Sequence, residues 1–299
     1  MGYLLLKGEF HLFYEGQNNR HVGSRPDGDS VWFKPNKPHL LDDVGGRSAD
    51  FNGGGFVQLR VEGIDALELH YQGSNHQLEQ PTVSARDTLL GMIGFDDVEY
   101  APNADIPSSV RDATPHPRPG YILTRSIDPF GRPVAFVFAG STSQQDGSDI
   151  WLDVARLNTS LNAQLMSRGE VYPAYYAGLP SDLRDRLTDL AFNAWSANRG
   201  LWPVDRSNRG ARIRKIDDLS RYAIWPKLYR RLFKYFRDPN TRRGVAGFDD
   251  WLRDDPNRDD DLWIIPTAEI SNLHDVVEVT GTNRITMTYF PEELVIVPG

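Results

Sequence analysis

Six polar residues flank apolar runs in this chain: Asp27 and Asp29 in PDGDS, Arg60, Asp65 and Glu68 in RVEGIDALE, and Arg132 in DPFGRPVAF. Their types match the needs of phosphodiester cleavage. A hard divalent cation takes carboxylate and carbonyl oxygens, which Asp29, Asp65 and the backbone carbonyl of Ala66 can supply. The attacked phosphorus gains negative charge on its equatorial oxygens, and the paired N–H donors of Arg60 and Arg132 suit that geometry. The attacking water needs an acceptor or base, and Glu68 is the remaining carboxylate. Each residue also has a plainer account. DGD is a turn by composition, Arg60 beside Glu62 or Asp65 can be a surface ion pair of little worth, and Arg132 can be a solvated hairpin residue. Those accounts leave unexplained why residues of the needed types stand in the needed order.

The elements that must position them can be read from periodicity. Alternation predicts strands at residues 3–14, 30–35 and 56–62, where Val57, Leu59 and Val61 alternate with polar neighbours before a turn at Gly63. Two more strands, 121–127 and 133–139, are joined by the DPFGR turn. Residues 36–55 and 94–120 read as long loops, being rich in glycine and proline respectively. Helices are expected over 82–93, 151–168 and 181–199. Leu157, Leu161 and Leu165 form the core stripe of the second, and Ser181 is a candidate N-cap for the third. Five short strands with about three helices suggest an α+β fold with a five-stranded barrel of the OB type. In such a barrel, strand ends converge on one rim.

Composition bounds the rest. The 299 residues suffice for two domains, and a charged fraction of 25% is ordinary for a globular protein. The absence of cysteine excludes disulfides, thiolate catalysis and cysteine zinc sites. The N-terminal segment lacks the basic and apolar regions of a secretory signal, and no apolar run is long enough for a membrane span. The expectation is a cytoplasmic protein with no membrane partner. A net charge of −8 argues against coating nucleic acid through bulk charge, while leaving room for a local basic cleft.

Beyond residue 203 the composition changes. Residues 205–238 hold eleven Lys or Arg against four Asp, interleaved with aromatics. Either this is a nucleic-acid track, or YAIWPKLYRRLFKYFR packs with Leu228, Leu232 and Phe236 inward. The helical spacing favours packing with a wet basic face. The following DDPNRDDD lacks the glycine and final glutamate of a calcium-binding EF-hand loop. It reads as a solvated acidic loop, with docking on the basic segment the less favoured account. Residues 204–299 are therefore expected to be a C-terminal α+β accessory domain, a possible surface for a protein partner or for self-association.

The ordered motifs resemble the staphylococcal nuclease (thermonuclease) family over about residues 1–203. DGDS at 27–30, LRVEGIDALE at 59–68, DPFGRPVAF at 128–136, LNAQLMSRGEVYPAYY at 161–176 and NRGLW at 198–202 carry the resemblance. Leu67 and Ser30 stand where the family has proline and threonine. The resemblance implies an OB-type barrel and calcium-dependent hydrolysis of DNA and RNA phosphodiesters. It makes Asp29, Asp65 and the Ala66 carbonyl the calcium ligands, and it gives Arg60 and Arg132 the phosphate and Glu68 the water. Tyr175 would stack on a bound base. A nuclease-like module without turnover, binding nucleic acid or a protein, is the alternative. A nuclease restrained by its own loops or a partner would join the two.

Overall fold

The structure is a computed structural model that describes residues 2–42, 44–102, 106–241 and 244–297. The principal elements in chain order are β1 (Tyr3–His11), β2 (Trp32–Pro35), β3 (Val57–Gln58), β4 (Arg60–Val61), β5 (Gly63–Asp65), α1 (Glu79–Ile93), β6 (Arg118–Ile127), β7 (Pro133–Ala139), α2 (Leu161–Arg168), β8 (Tyr172–Tyr176), α3 (Ser181–Ser196), α4 (Pro226–Arg237), β9 (Asp261–Ile264), β10 (Glu269–Asn272) and β11 (Leu294–Val297). The fold is mixed α+β. Contacts divide it into two compact units, Met1–Glu62 with Val83–Leu165, and Gly63–Thr82 with Met166–Gly299. Among the described residues no helix is long and apolar enough to cross a membrane.

The first unit is built on one curled sheet in the order β3-β2-β1-β6-β7-β4, with Asp149–Ile150 added against β1. Its two edge strands, β3 and β4, are separated in sequence by Leu59 alone. A sheet whose opposite edges are consecutive residues must bend nearly into a barrel. The seam is fastened by backbone bonds from Leu59 N–H to Val31 O (2.9 Å) and from Val61 N–H to Asp29 O (3.0 Å). Alternation sends Val57, Leu59 and Val61 to one face, where Phe10, Phe33 and Ile122 are also buried, while Leu5 and Phe136, both in register with Leu123, are buried on the other face of the sheet. Each such side chain stabilises the fold by roughly 1.5–3 kcal/mol.

The sequence reading of five strands becomes seven because 56–62 is two strands with different partners and Asp149–Ile150 adds one more against β1. Val57–Gln58 pairs with Trp32–Phe33, and Arg60–Val61 pairs in parallel with Val134–Ala135. Residues 94–120, expected as loop, contain the hairpin Asp97–Tyr100 with Val110–Thr114 and the start of β6. Pro102, Pro107, Pro115 and Pro117 lie outside these strands, and Pro119 is accommodated near the start of β6 opposite Glu9, so proline abundance was a poor guide. Residues 103–105 of that stretch, and 43 of the earlier loop, lie outside the described residues. The expected helix 151–168 is broken into Val154–Leu157 and α2, with Leu157, Leu161 and Leu165 all buried as expected. Pro180, not Ser181, occupies the N-cap of α3.

The second unit carries the sheet β10-β9-β11-β8-β5. Here β8 lies between β5, antiparallel with Tyr172 opposite Asp65, and β11, parallel with Tyr175 opposite Val295. Residues 166–203 thus share a sheet with the C-terminal strands, so the compact units divide the chain elsewhere than at 203/204. Trp225 fixes the approach to α4, its indole N–H reaching Pro173 O (3.2 Å) and its backbone N–H reaching Ser207 Oγ (2.8 Å).

Asn162 is the polar fastener of the first unit. Fully buried, it accepts from Val137 N–H (2.9 Å) and donates to Glu62 O (2.8 Å) and Ala135 O (3.2 Å). Removing it takes this partner from Val137 N–H and Glu62 O, each costing about 1–3 kcal/mol when unpaired, while Ala135 O still accepts from Glu62 N–H (2.9 Å). Asn162→Ala is expected to lower urea-unfolding stability by about 2–4 kcal/mol. A loss below about 1 kcal/mol would show that the seam does not depend on it.

Candidate functional site

Asp29, Arg60 and Arg132 belong to the first unit, and Asp65, Ala66, Glu68 and Tyr175 to the second. The curled sheet brings the first three to one part of the barrel. Val61 N–H bonds to Asp29 O, and Arg60 pairs with Val134, two residues beyond Arg132. The DGDS turn is closed by Ser30 Oγ donating to Asp27 Oδ1 (2.5 Å) and steadied by Gln58 Nε2 donating to Ser30 Oγ (3.2 Å).

Arg132 is aimed by its hairpin. Asp128 accepts from the backbone N–H of Phe130 (2.9 Å) and of Arg132 (3.0 Å), and its second oxygen takes Arg132 Nε–H (2.8 Å). One carboxylate therefore builds the turn and orients the guanidinium. Gly131 is required between them. Its φ is +75°, and a Cβ there would lie 2.6 Å from the Asp50 Cβ. Phe130 projects at the tip, 75% exposed, with the Arg132 guanidinium 5.5 Å from its ring centre.

Glu62 adds an unanticipated group. One of its carboxylate oxygens is buried without a hydrogen-bond partner. Burial pushes the carboxyl up to about 7, against the opposing pull of Arg125 and Arg60.

In the second unit, Gly63 (φ +80°) turns the chain into β5, where a Cβ would strike Leu187 at 2.7 Å. Ile64, Ala66, Leu67 and Leu69 are buried around Asp65, itself 6% exposed. Gln77, also buried, accepts from Glu68 N–H (3.1 Å) and donates to Ile224 O (2.7 Å), so the turn carrying Glu68 is tied to the chain just ahead of α4. Arg230 of α4 then reaches both carboxylates. Its Nη2 donates to Asp65 Oδ2 (2.5 Å), and its Nη1 to Asp65 Oδ1 (3.1 Å) and Glu68 Oε1 (2.6 Å). Burial alone would lower the Arg230 pKa, but the two carboxylates reverse that and hold it well above its ordinary value.

Two expectations change. Tyr175 is fully buried, with its hydroxyl 3.0 Å from Thr188 Oγ1, so its ring has no face open to a base. Exposed Phe130 has the free face that Tyr175 lacks. The acidic loop is not simply solvated. Asp260 takes a two-pronged contact from Arg231 (2.8 and 2.8 Å) and one from Lys227 Nζ (2.7 Å). Burial would raise Asp260, but Arg231 and Lys227 more than reverse this and hold it down to about 2. The less favoured account, docking on the basic segment, is the one observed at this residue. Leu228 and Leu232 face inward as expected, while Phe236 is half-buried and Tyr229, Phe233 and Tyr235 join the core.

The donors have the right chemistry for a hard cation. Asp65 and Glu68 converge on one cationic group, with Arg230 standing in that position. Among the described residues, no group of three or more histidine or acidic side chains is arranged to hold a metal ion. No known family model matches the chain, and a search of curated proteins returns no match.

Two outcomes check the electrostatics. Arg230→Gln leaves a repelling, nearly buried carboxylate pair and is expected to destabilise by about 2–3 kcal/mol, discounted for the partial exposure of Arg230. In a double-mutant cycle with Asp65→Asn the losses should be non-additive by at least 1 kcal/mol; additive losses would refute the coupling. For Glu62, the folded pKa near 7 lies above the ordinary 4.5. Its contribution is thus complete below about pH 4.5 and is lost as pH rises through 7. Between pH 4.5 and 8, wild type should lose about 2–3 kcal/mol relative to Glu62→Gln, measured by urea titration.

Proposed function

We propose that this chain is a metal-dependent phosphodiesterase of the thermonuclease type, acting on DNA or RNA through an OB-type barrel with a C-terminal accessory region. The observation that carries the reading is the convergence of Asp65 and Glu68 on one cationic group within 2.5–3.1 Å. Two ionised carboxylates meeting at one point are stabilised by a positive charge between them, and hard oxygen donors suit calcium. Asp65 and the Ala66 carbonyl would hold that ion. When bound, it supplies positive charge to the phosphate and the attacking oxygen.

The remaining work falls to the chain's own groups. Arg60 and Arg132 bind the phosphate and complement the charge its oxygens gain. Asp128 positions the Arg132 fork before substrate arrives, which limits reorganisation. Glu68 accepts a proton from the attacking water, provided that its carboxylate is released from Arg230. Phe130 offers a sequence-tolerant stacking surface beside Arg132.

A second reading is favoured by one observation, the seating of Arg230 on both carboxylates. In it the barrel binds nucleic acid or a protein without turnover. Cleavage of single-stranded DNA, duplex DNA and RNA in calcium, magnesium and EDTA separates the two. The nuclease reading expects metal-dependent cutting, lowered at least 100-fold by Glu68→Gln or Arg132→Ala. Phe130→Ala should raise KM with little change in kcat, since stacking at about 1–3 kcal/mol is felt equally before and during reaction. Binding without cutting in any metal would leave the second reading.

A further inference from the structure

Arg230 differs from the other cations of its helix in what it does for the fold. Lys227 and Arg231 secure α4 to Asp260. Leu228, Tyr229, Leu232 and Phe233 bury its apolar face, and Tyr71 packs edge-on against Phe233 (5.2 Å between ring centres) and Tyr229 (5.9 Å). The helix is therefore anchored on both sides without Arg230. The Arg230 side chain is 29% exposed, whereas Asp65 and Glu68 are 9% and 15% exposed. A guanidinium on a flexible stem at the edge of solvent can swing outward while α4 stays in place.

The carboxylates have no such freedom. Asp65 lies in a strand paired with Tyr172, and the backbone of Glu68 is bonded in both directions to Gln77. The backbone that carries the two carboxylates is held and both groups are nearly buried, so while both are ionised a cation must accompany them. Arg230 meets that need with three N–H···O contacts from one planar group. A divalent ion would meet it as well and could not coordinate the same oxygens while Arg230 holds them.

We infer that Arg230 is an intramolecular counter-cation that competes with divalent metal at Asp65 while covering Glu68, so that metal loading is an exchange in which the Arg230 side chain leaves. This deepens the reading of Asp65 as a metal ligand with Glu68 beside it as the acceptor of the water's proton, and rests on it. The consequence is self-restraint: the protein as folded has its water-activating carboxylate occupied, and calcium binds only as tightly as it can outbid the guanidinium. Any agent that draws Arg230 away, such as a phosphate group of an arriving polyanion, would raise the metal affinity of the pair.

Calcium titration of the full chain by isothermal calorimetry, with no substrate present, tests this directly. Arg230→Gln is expected to bind calcium at least tenfold tighter than wild type, and Asp65→Asn combined with Arg230→Gln to lose the gain. Circular dichroism establishes that each variant is folded. If Arg230→Gln does not fold, Arg230→Lys carries the test, because it keeps a charge but lacks the planar fork, and should bind calcium several-fold tighter than wild type. Equal calcium affinity in wild type and the folded variant overturns the exchange. The cleavage assay fails independently. Tighter calcium binding without cutting keeps the exchange and removes the nuclease reading, whereas metal-dependent cutting with unchanged calcium affinity does the reverse.

Discussion

Leu59 is the single residue between two strands at opposite edges of one sheet, and the first unit depends on that constraint. With Val57–Gln58 bonded to Trp32–Phe33 and Arg60–Val61 bonded to Val134–Ala135, the sheet has to curl until its margins meet. The curl places the Asp29 backbone beside Arg60 and sets Arg60 near the hairpin that aims Arg132. Asn162 then ties Glu62, Ala135 and Val137 together from within, which holds the parallel pairing where few ladder bonds exist. A two-residue strand makes little hydrogen-bond energy of its own. Its position is determined by burial of Val57, Leu59 and Val61 and by the buried amide that reads its backbone.

Much of this barrel was legible because its strands alternate and its turns use proline, glycine and aspartate in standard ways. The hairpin DPFGR and the buried Leu157/Leu161/Leu165 stripe could be placed from pattern alone. The splitting of 56–62 could not, because alternation reports which face a residue takes and is silent about which neighbour its backbone meets. The candidate chemistry was legible in residue types, and its positioning only in part. Nothing local to Arg230 marks it as the partner of Asp65 and Glu68, since those contacts span more than 160 positions. Tyr175 shows the converse. Its place in an aromatic run said nothing of burial, which follows from β8 lying between β5 and β11.

The C-terminal part is knit to the second unit by polar contacts as much as by apolar ones. Buried Asp205 accepts from the Tyr172 hydroxyl (2.6 Å), from Ser207 Oγ (2.7 Å) and from Ser207 N–H (3.0 Å), and Ser207 in turn receives Trp225 N–H. This chain of bonds links the strand opposite Asp65 with the entry to α4. Burial pushes the Asp205 carboxyl up, while the hydrogen bonds it accepts oppose the rise. Such a network makes the start of α4 rigid. It also explains why the basic segment, so uneven in composition, is part of the core rather than an appended tail.

The pairing within α4 has a consequence for how the helix would behave toward a polyanion. Five of its twelve residues are cationic, enough to suggest a strong electrostatic track. Lys227, Arg230 and Arg231 already face carboxylates, leaving Lys234 and Arg237 as the exposed pair. Binding to a nucleic-acid backbone gains its salt sensitivity from the counterions that each phosphate contact releases. Two available cations would release about two such ions, for a slope near −2 in log affinity against log salt. A helix written in five basic residues thus presents, toward a phosphate backbone, the charge of only two.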